Sequence, residues 1–186
     1  MHDTEDKNFW VDKYGEKNER NFINVSNNFG IKELQINPEK QSNPHVIDYC
    51  WRDSLADLKT QTTPFFTAGR YKVNPRFAVT FNRKDYERYN RYLEETKKSI
   101  YIFFWVSWNQ LAWKNKKVEY LYGIFVEDFV NIKKIIETKA SEHFYIRRSD
   151  DRIGNAKSSF ILDIRNFRKI VQIESMSEVS KNLLPY

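Results

Sequence analysis

Residues 100–106 (IYIFFWV) form an unbroken apolar run, the longest in the chain. Seven residues cannot cross a bilayer, which takes roughly 20, and an amphipathic helix would interrupt the run with a polar position every third or fourth residue. The run therefore reads as a strand buried on both faces, which requires packed layers above and below a sheet. The 186 residues around it suffice for one core of ordinary size. With 40% hydrophobic and 30% charged residues and a mean hydropathy of −0.74, the composition is that of a folded chain rather than a disordered or membrane-embedded one. A single domain over 1–186 is expected.

Several chemistries are unsupported by what the chain contains. Cys50 is the only cysteine, so neither an internal disulfide nor a cysteine-cluster zinc site can form. His2, His45 and His143 stand at unrelated spacings, and among five glycines there is no phosphate-cradling GxGxxG or GxxxxGK[ST] loop. The first ten residues, MHDTEDKNFW, resemble neither a secretory signal nor an Arg-rich transit peptide, so a cytoplasmic location and no membrane partner are expected.

Charge is divided unevenly along the chain. Residues 1–60 carry 8 Lys/Arg against 11 Asp/Glu, whereas residues 61–186 carry 23 against 14, a net of +9. With a pI near 9.2, the basic portion suits a polyanion, nucleic acid being the simplest, although a solvated basic surface has the same composition. The 17 Asn and 19 Lys beside many Ile, Phe and Tyr follow an AT-rich coding bias, so aromatic abundance alone says little about base stacking.

Periodicity predicts a helix over 9–28 stopped by Gly30, a strand over 31–36, and a loop between Asn37-Pro38 and Asn43-Pro44. Two short strands, 45–51 and 55–62, flank Arg52-Asp53-Ser54 as a hairpin. An irregular stretch between Pro64 and Pro75 precedes a helix over 83–98 and the buried strand, giving the order αβββαβ. Beyond it, residues 120–126, 144–146 and 160–164 read as strands and 127–141 as a helix, extending the sheet, with a polar final dozen residues.

The chemistry concentrates in the hairpin. The pattern [DE]-x-K occurs four times, against about 2.6 by chance from 25 acids and 19 lysines. Glu95-x-Lys97 and Glu137-x-Lys139 fall on predicted helices and Glu5-x-Lys7 near the N-terminus; only Asp57-x-Lys59 falls on a predicted strand, where residues two apart share a face and Gln61 continues it. If Arg52-Asp53 are the central turn residues, Trp51 pairs with Ser54 and Asp48 stands opposite Asp57, with Cβ atoms about 4.5–5.5 Å apart. Like charges so placed repel unless a cation or shared proton lies between them. Arg-Asp is a poor sequence for a tight primed turn, so a shifted register is the alternative. On the first helix, Glu19 projects about 65° from the apolar centre at Phe22 and Glu16 about 125° away; Glu19 borders the buried face, though a solvated flank position has the same geometry.

Taken together, these residues resemble the PD-(D/E)XK nuclease superfamily, especially archaeal-type Holliday-junction resolvases and small restriction-like endonucleases, over residues 15–106. The stretch GEKNERNF at 15–22, with Gly30 eleven residues after Glu19, is similar to that family's first-helix motif; Asp48 matches the motif Asp, and Asp57, Lys59 and Gln61 its (D/E)-x-K-x-Q strand. Two positions depart from the pattern. The Pro expected directly before the Asp is Pro44, four residues early, which leaves Asp53 as a substitute for Asp48, and Asp rather than Glu stands at 57. The resemblance implies an α/β fold with a restriction endonuclease-like αβββαβ core at about 9–106, a mixed central sheet flanked by helices, and a C-terminal α/β extension at about 107–186.

It also implies a metal-dependent DNA endonuclease, with Asp48, Asp57 and the Leu58 carbonyl holding Mg²⁺, for which Mn²⁺ can substitute, and Glu19 completing the site. Lys59 would orient water, Gln61 would bond Lys59 or the phosphate, and the products would carry 5′-phosphate and 3′-hydroxyl ends. The expected partner is DNA, duplex or branched, with a homodimer among the arrangements. Arg70, Lys72 and Arg76 follow the motif strand and would meet the scissile strand, and Lys114, Lys116 and Lys117 interleave with Trp108 and Trp113 in a loop that could place Lys on phosphates. That second loop also reads as a hairpin with one packed Trp and a solvated tip. Arg147, Arg148, Arg152 and Lys157 form a third basic group. The competing readings are a nuclease-fold protein that binds nucleic acid without cleaving it and a purely structural α/β module.

Overall fold

The computed structural model describes residues 16–43, 46–145 and 158–175. In chain order its elements are α1 (Glu16–Asn28), β1 (Leu34–Ile36), β2 (Tyr49–Trp51), β3 (Ser54–Gln61), β4 (Ala78–Asn82), α2 (Arg83–Thr96), β5 (Ile100–Ser107), β6 (Ala112–Trp113), β7 (Lys116–Lys117), β8 (Tyr122–Asp128), α3 (Phe129–Thr138), β9 (Ser141–Phe144), β10 (Ser158–Asp163) and β11 (Arg168–Ile173). The apolar run is β5, an interior strand of a six-stranded mixed sheet in the order β1-β2-β3-β5-β8-β11. It pairs parallel with β3 and antiparallel with β8. A three-stranded antiparallel sheet, β4-β10-β9, and the small β6–β7 hairpin complete the strands. The described chain is thus mixed α/β with three α-helices, none long and apolar enough to cross a membrane.

Strand alternation divides the core. Ile100, Ile102, Phe104 and Val106 of β5 pack with Leu55, Tyr89 of α2 and Phe129 and Ile132 of α3, while Phe103 joins Ala56, Leu58, Tyr49, Trp51 and Phe22 of α1 on the other face. Burying each large apolar side chain contributes roughly 1.5–3 kcal/mol. The Phe22 ring lies 5.3 Å from Phe103 and 6.1 Å from Tyr49, which fixes α1 over β2, β3 and β5. Helix α1 ends where Gly30 takes φ +77°, a conformation that favours glycine. In β8 a Cβ on Gly123 would fall 2.9 Å from the Val171 carbonyl oxygen, so the close approach of β11 at its bulge requires glycine there.

Two strands went unanticipated. β4 runs directly into α2, with Asn82 serving as the last strand residue and the helix N-cap, so no turn residue marks the boundary. β11 is an edge strand that opens with exposed Arg168 and Lys169, so its apolar half is too short to show alternation. β4 makes the order αββββαβ rather than αβββαβ, and it leaves the main sheet for the second one. Other boundaries moved: residues 31–33 and 46–48 precede rather than join their strands, the helix expected over 127–141 is Phe129–Thr138, and β9 spans Ser141–Phe144, residue 146 of the strand expected over 144–146 lying outside the described residues. β8 extends the main sheet beyond β5 as expected and is followed by the unanticipated β11, whereas β9 and β10, expected to extend the same sheet, pair with β4 in the second one.

Candidate active site

The β2–β3 hairpin has the register expected of a two-residue Arg52-Asp53 turn, with Trp51 opposite Ser54 and Tyr49 opposite Ala56. Arg52 takes φ +54°, the left-handed backbone that makes this a poor turn sequence. Ladder pairing stops at Tyr49, one residue before Asp48 would face Asp57. There Asn37 captures the departing strand: its N–H donates to the Asp48 carbonyl (2.9 Å) and its Nδ2 to the Ile47 carbonyl (3.0 Å). The Leu58 N–H donates instead to Oδ2 of Asp48 at 3.3 Å, so the Asp48 carboxylate stands against the β3 backbone. Asp53 sits exposed at the hairpin tip, about 13 Å along the strand from Asp57, and does not join the cluster.

Glu19 reaches the same place from α1. The Tyr49 hydroxyl donates to the Glu19 backbone carbonyl at 2.9 Å, tying helix to hairpin, and burial followed by the charges of Asp48 and Glu19 keeps the Tyr49 phenol protonated. Between the two acids lies Lys40, on the short 3₁₀ turn Pro38–Gln41, with Nζ 2.6 Å from Glu19 Oε2 and 2.6 Å from Asp48 Oδ1. Burial works against that ammonium, but the two carboxylates outweigh it and raise its pKa. The side chain of Glu16 lies outside the described residues.

On the α2 side of β3, Leu55, Asp57, Lys59 and Gln61 share one face. Asp57 is 1% exposed and ion-paired through Oδ2 to Lys59 Nζ at 2.6 Å, a contact not aligned as a hydrogen bond. Lys59 also meets Asp85 Oδ2 at 2.9 Å and donates to the Tyr89 hydroxyl at 3.1 Å. Arg88 approaches Asp85 Oδ1 at 3.2 Å and Asp57 Oδ1 at 3.6 Å. Asp85, Arg88 and Tyr89 are i, i+3 and i+4 on α2 and therefore project together. Burial first, then the Asp48 charge, pushes the Asp57 carboxyl up to about 6, against the lowering pull of Lys59 and Arg88. Burial opposes the Lys59 charge, yet Asp57, Tyr89 and Asp85 hold its pKa well above the ordinary value. For Asp85, burial is outweighed by Lys59 and Arg88, and its pKa is lowered.

The structure thus gathers Glu19, Asp48, Asp57, Leu58 and Lys59 around the end of one hairpin. Gln61 turns to β4, accepting from the Thr80 N–H at 3.1 Å and donating to the Thr63 carbonyl, and bonds neither Lys59 nor an open position. A cleft of about 280 Å³ opens beside Lys59, lined by Leu58, Gln61, Thr80 and Asn82 among others. Arg70 and Lys72 are exposed on the turn after β3. Arg76 is engaged elsewhere, bonded to Glu119 (2.7 Å), Glu174 (2.9 Å) and the Tyr120 carbonyl (3.0 Å). Lys114, Lys116 and Lys117 lie on the β6–β7 hairpin; Lys114 covers the Trp113 ring, Lys116 donates to the Phe66 carbonyl, and Trp108 is wholly buried. Arg147, Arg148, Arg152 and Lys157 fall outside the described residues.

Sequence reasoning missed Lys40, Asp85, Arg88 and Tyr89 as members of this cluster. The α2 residues carried a signal: polar groups flanking Tyr89 on the helix face turned toward a strand bearing Asp-x-Lys. Lys40 carried none, because its reach depends on how the 3₁₀ turn folds back over α1.

Among the described residues no group of three or more Asp, Glu, His or Cys is placed to enclose a metal ion. The donors are nevertheless the hard oxygens that suit Mg²⁺, and two of the carboxylates already share a cation, the Lys40 ammonium. Four acids here face three cationic side chains, leaving the cluster one negative charge in excess. Compared with known protein families, with curated proteins and with solved structures, the chain matches none.

Proposed function

We propose that the protein is a metal-dependent DNA endonuclease of the PD-(D/E)XK type. The observation that carries the reading is the linkage of four motif residues: Lys40 bridges Glu19 and Asp48, Asp48 accepts from the Leu58 N–H, and Asp57 pairs with Lys59, which lines a polar cleft. Asp48 and Asp57, the Leu58 carbonyl and Glu19 would hold Mg²⁺, with Lys40 withdrawn from between the acids. The ion's contribution there is Lewis-acid polarisation of the phosphate and a lowered pKa for bound water. The chain's own part is positional. Asp85 and Tyr89 hold the Lys59 ammonium at the cleft, where a charged donor can orient the attacking water or offset phosphate charge. Burial pushes the Asp57 carboxyl up to about 6, so at neutral pH it is an ionised acceptor for a cation.

One observation favours a second reading, a nuclease-like protein that binds nucleic acid without cutting it: Lys40, Lys59 and Arg88 already neutralise most of the acidic charge. Incubation of supercoiled plasmid with Mg²⁺, Mn²⁺ or EDTA separates the two. The endonuclease nicks or linearises plasmid only with a divalent ion; DNA retarded but intact in every condition identifies the binding protein.

A further inference from the structure

The second sheet carries an aromatic cluster that the proposed chemistry does not use. Phe65 and Tyr71 stack with centroids 6.0 Å apart at 22°. His143 on β9 lies 5.1 Å from Phe65, and its Nδ1 is 2.7 Å from the Tyr71 hydroxyl. Tyr145 meets His143 edge-on at 5.0 Å and is 44% exposed. Phe65 and Tyr71 pack, with Val73, on three buried residues, Ala68, Ala78 and Ile161. The cluster presents two tyrosine hydroxyls, an imidazole and the exposed Tyr145 ring.

The cluster is joined to the Lys59 cleft. Tyr145 Oη is 3.0 Å from Ser159 Oγ, which donates to Asn82 Oδ1 at 2.7 Å, and Asn82 lines the cleft with Lys59 and Gln61. Asn82, Ser159 and His143 are paired across β4, β10 and β9, so their side chains lie on one face and the row spans two strand spacings, about 10 Å. Of the charges near this row, Glu142 is paired with Arg83, Lys59 with Asp57 and Asp85, and Arg76 with Glu119 and Glu174. Residues 58–84 contain no Asp or Glu but hold six Lys or Arg, of which Arg70 and Lys72 flank Tyr71 and are exposed.

From these relationships we infer that the Tyr71–His143–Tyr145 surface is a stacking platform for an unpaired base of a DNA strand whose neighbouring phosphate lies in the Lys59 cleft. Cations on the turn after β3 meet the backbone and rings meet a base, the combination by which proteins hold single strands. A base inside an intact duplex cannot offer its face to Tyr145, so the substrate class is DNA with a single-stranded or splayed segment at the cut. The inference rests on the endonuclease reading for the role of the cleft, but the platform's binding does not require a divalent ion.

The test is fluorescence anisotropy in EDTA with a labelled 12-nucleotide oligo-dT and a duplex of equal length, using the full chain, Tyr145→Leu and Tyr145→Phe. The expected result is tighter binding of the single strand, a loss of about tenfold in Tyr145→Leu, and affinity within about threefold of wild type in Tyr145→Phe, which keeps the ring. Because Tyr145 is half-exposed one residue beyond β9, the Leu variant should fold; matching circular dichroism melts check this, and Tyr71→Leu repeats the test from the neighbouring ring. Equal affinity for duplex and single strand, or wild-type affinity in both Leu variants, overturns the inference. Ring-dependent single-strand binding without plasmid cleavage in any divalent ion would retain the platform and reject the endonuclease; cleavage with ring-independent binding would do the reverse.

Discussion

Lys59 stands 2.6 Å from Asp57, two residues back on the same strand, while Asp57 itself is almost wholly buried. Burying a carboxylate is costly unless it is neutralised, and here Lys59 neutralises it, with Arg88 3.6 Å from its other oxygen. The pair binds structure and proposed chemistry together. Lys59→Ala is therefore expected to lower the plasmid cleavage rate about a thousandfold or more, the scale of losing a charged transition-state donor. DNA affinity, which rests on other cations, should stay within about threefold. Steady-state cleavage and anisotropy on one preparation check this; parallel loss of both would make Lys59 a general DNA contact.

The same burial sets a pH signature. The Asp57 carboxyl titrates near 6 in the fold, above its ordinary value of 3.8. An acid that holds its proton more tightly when folded stabilises the fold fully below about pH 4, and that contribution is lost as pH rises through 6. Asp85, shifted downward, acts oppositely, its contribution being lost only as pH falls below the ordinary carboxylate range. Relative to Asp57→Asn, wild type should lose up to about 3 kcal/mol between pH 4 and pH 6.5. Urea melts across that range measure it, and parallel pH profiles for the two proteins would refute the shift.

Lys40 occupies the space between Glu19 and Asp48 as a resident cation. Lys40→Met removes a competitor for a divalent ion and leaves two acids in repulsion. Mn²⁺ affinity, read by calorimetry, should rise about tenfold while stability without metal falls by about 1–3 kcal/mol. Unchanged Mn²⁺ affinity would place the ion away from these acids.

The basic remainder of the chain predicts steep salt dependence. If about four phosphates are neutralised, affinity for DNA should fall about a hundredfold between 50 and 200 mM salt. Arg76→Ala should leave that slope unaltered, because its guanidinium is committed to Glu119 and Glu174. A slope reduced by about one in that variant would show that Arg76 leaves its partners for phosphate.

Much of the hairpin was legible in the sequence because period-two alternation and a two-residue turn fix which side chains share a face, down to Trp51 opposite Ser54. The helix projection likewise placed Glu19 beside the buried face, where its side chain is 18% exposed. What escaped was whatever depends on how elements meet. Lys40 reaches its partners through a turn held by Asn37, and Asp85 and Arg88 matter only because α2 packs its Tyr89 edge against β3. β4 was hidden by its fusion to α2, and with it the route from Gln61 toward the second sheet. Arg76, read as a free cation from its place in the chain, turned out to be bonded to acids 43 and 98 residues away.

The central claim is that Asp48 and Asp57 form the heart of a divalent-ion site, and electron paramagnetic resonance of Mn²⁺ titrated into the protein at pH 7.5 addresses it most directly. Wild type should bind Mn²⁺ with loss of the free-ion signal, while the Asp48→Asn/Asp57→Asn double variant, folded by circular dichroism, should leave that signal at its protein-free level. Equal Mn²⁺ uptake by the two proteins, or none by wild type, would contradict the account.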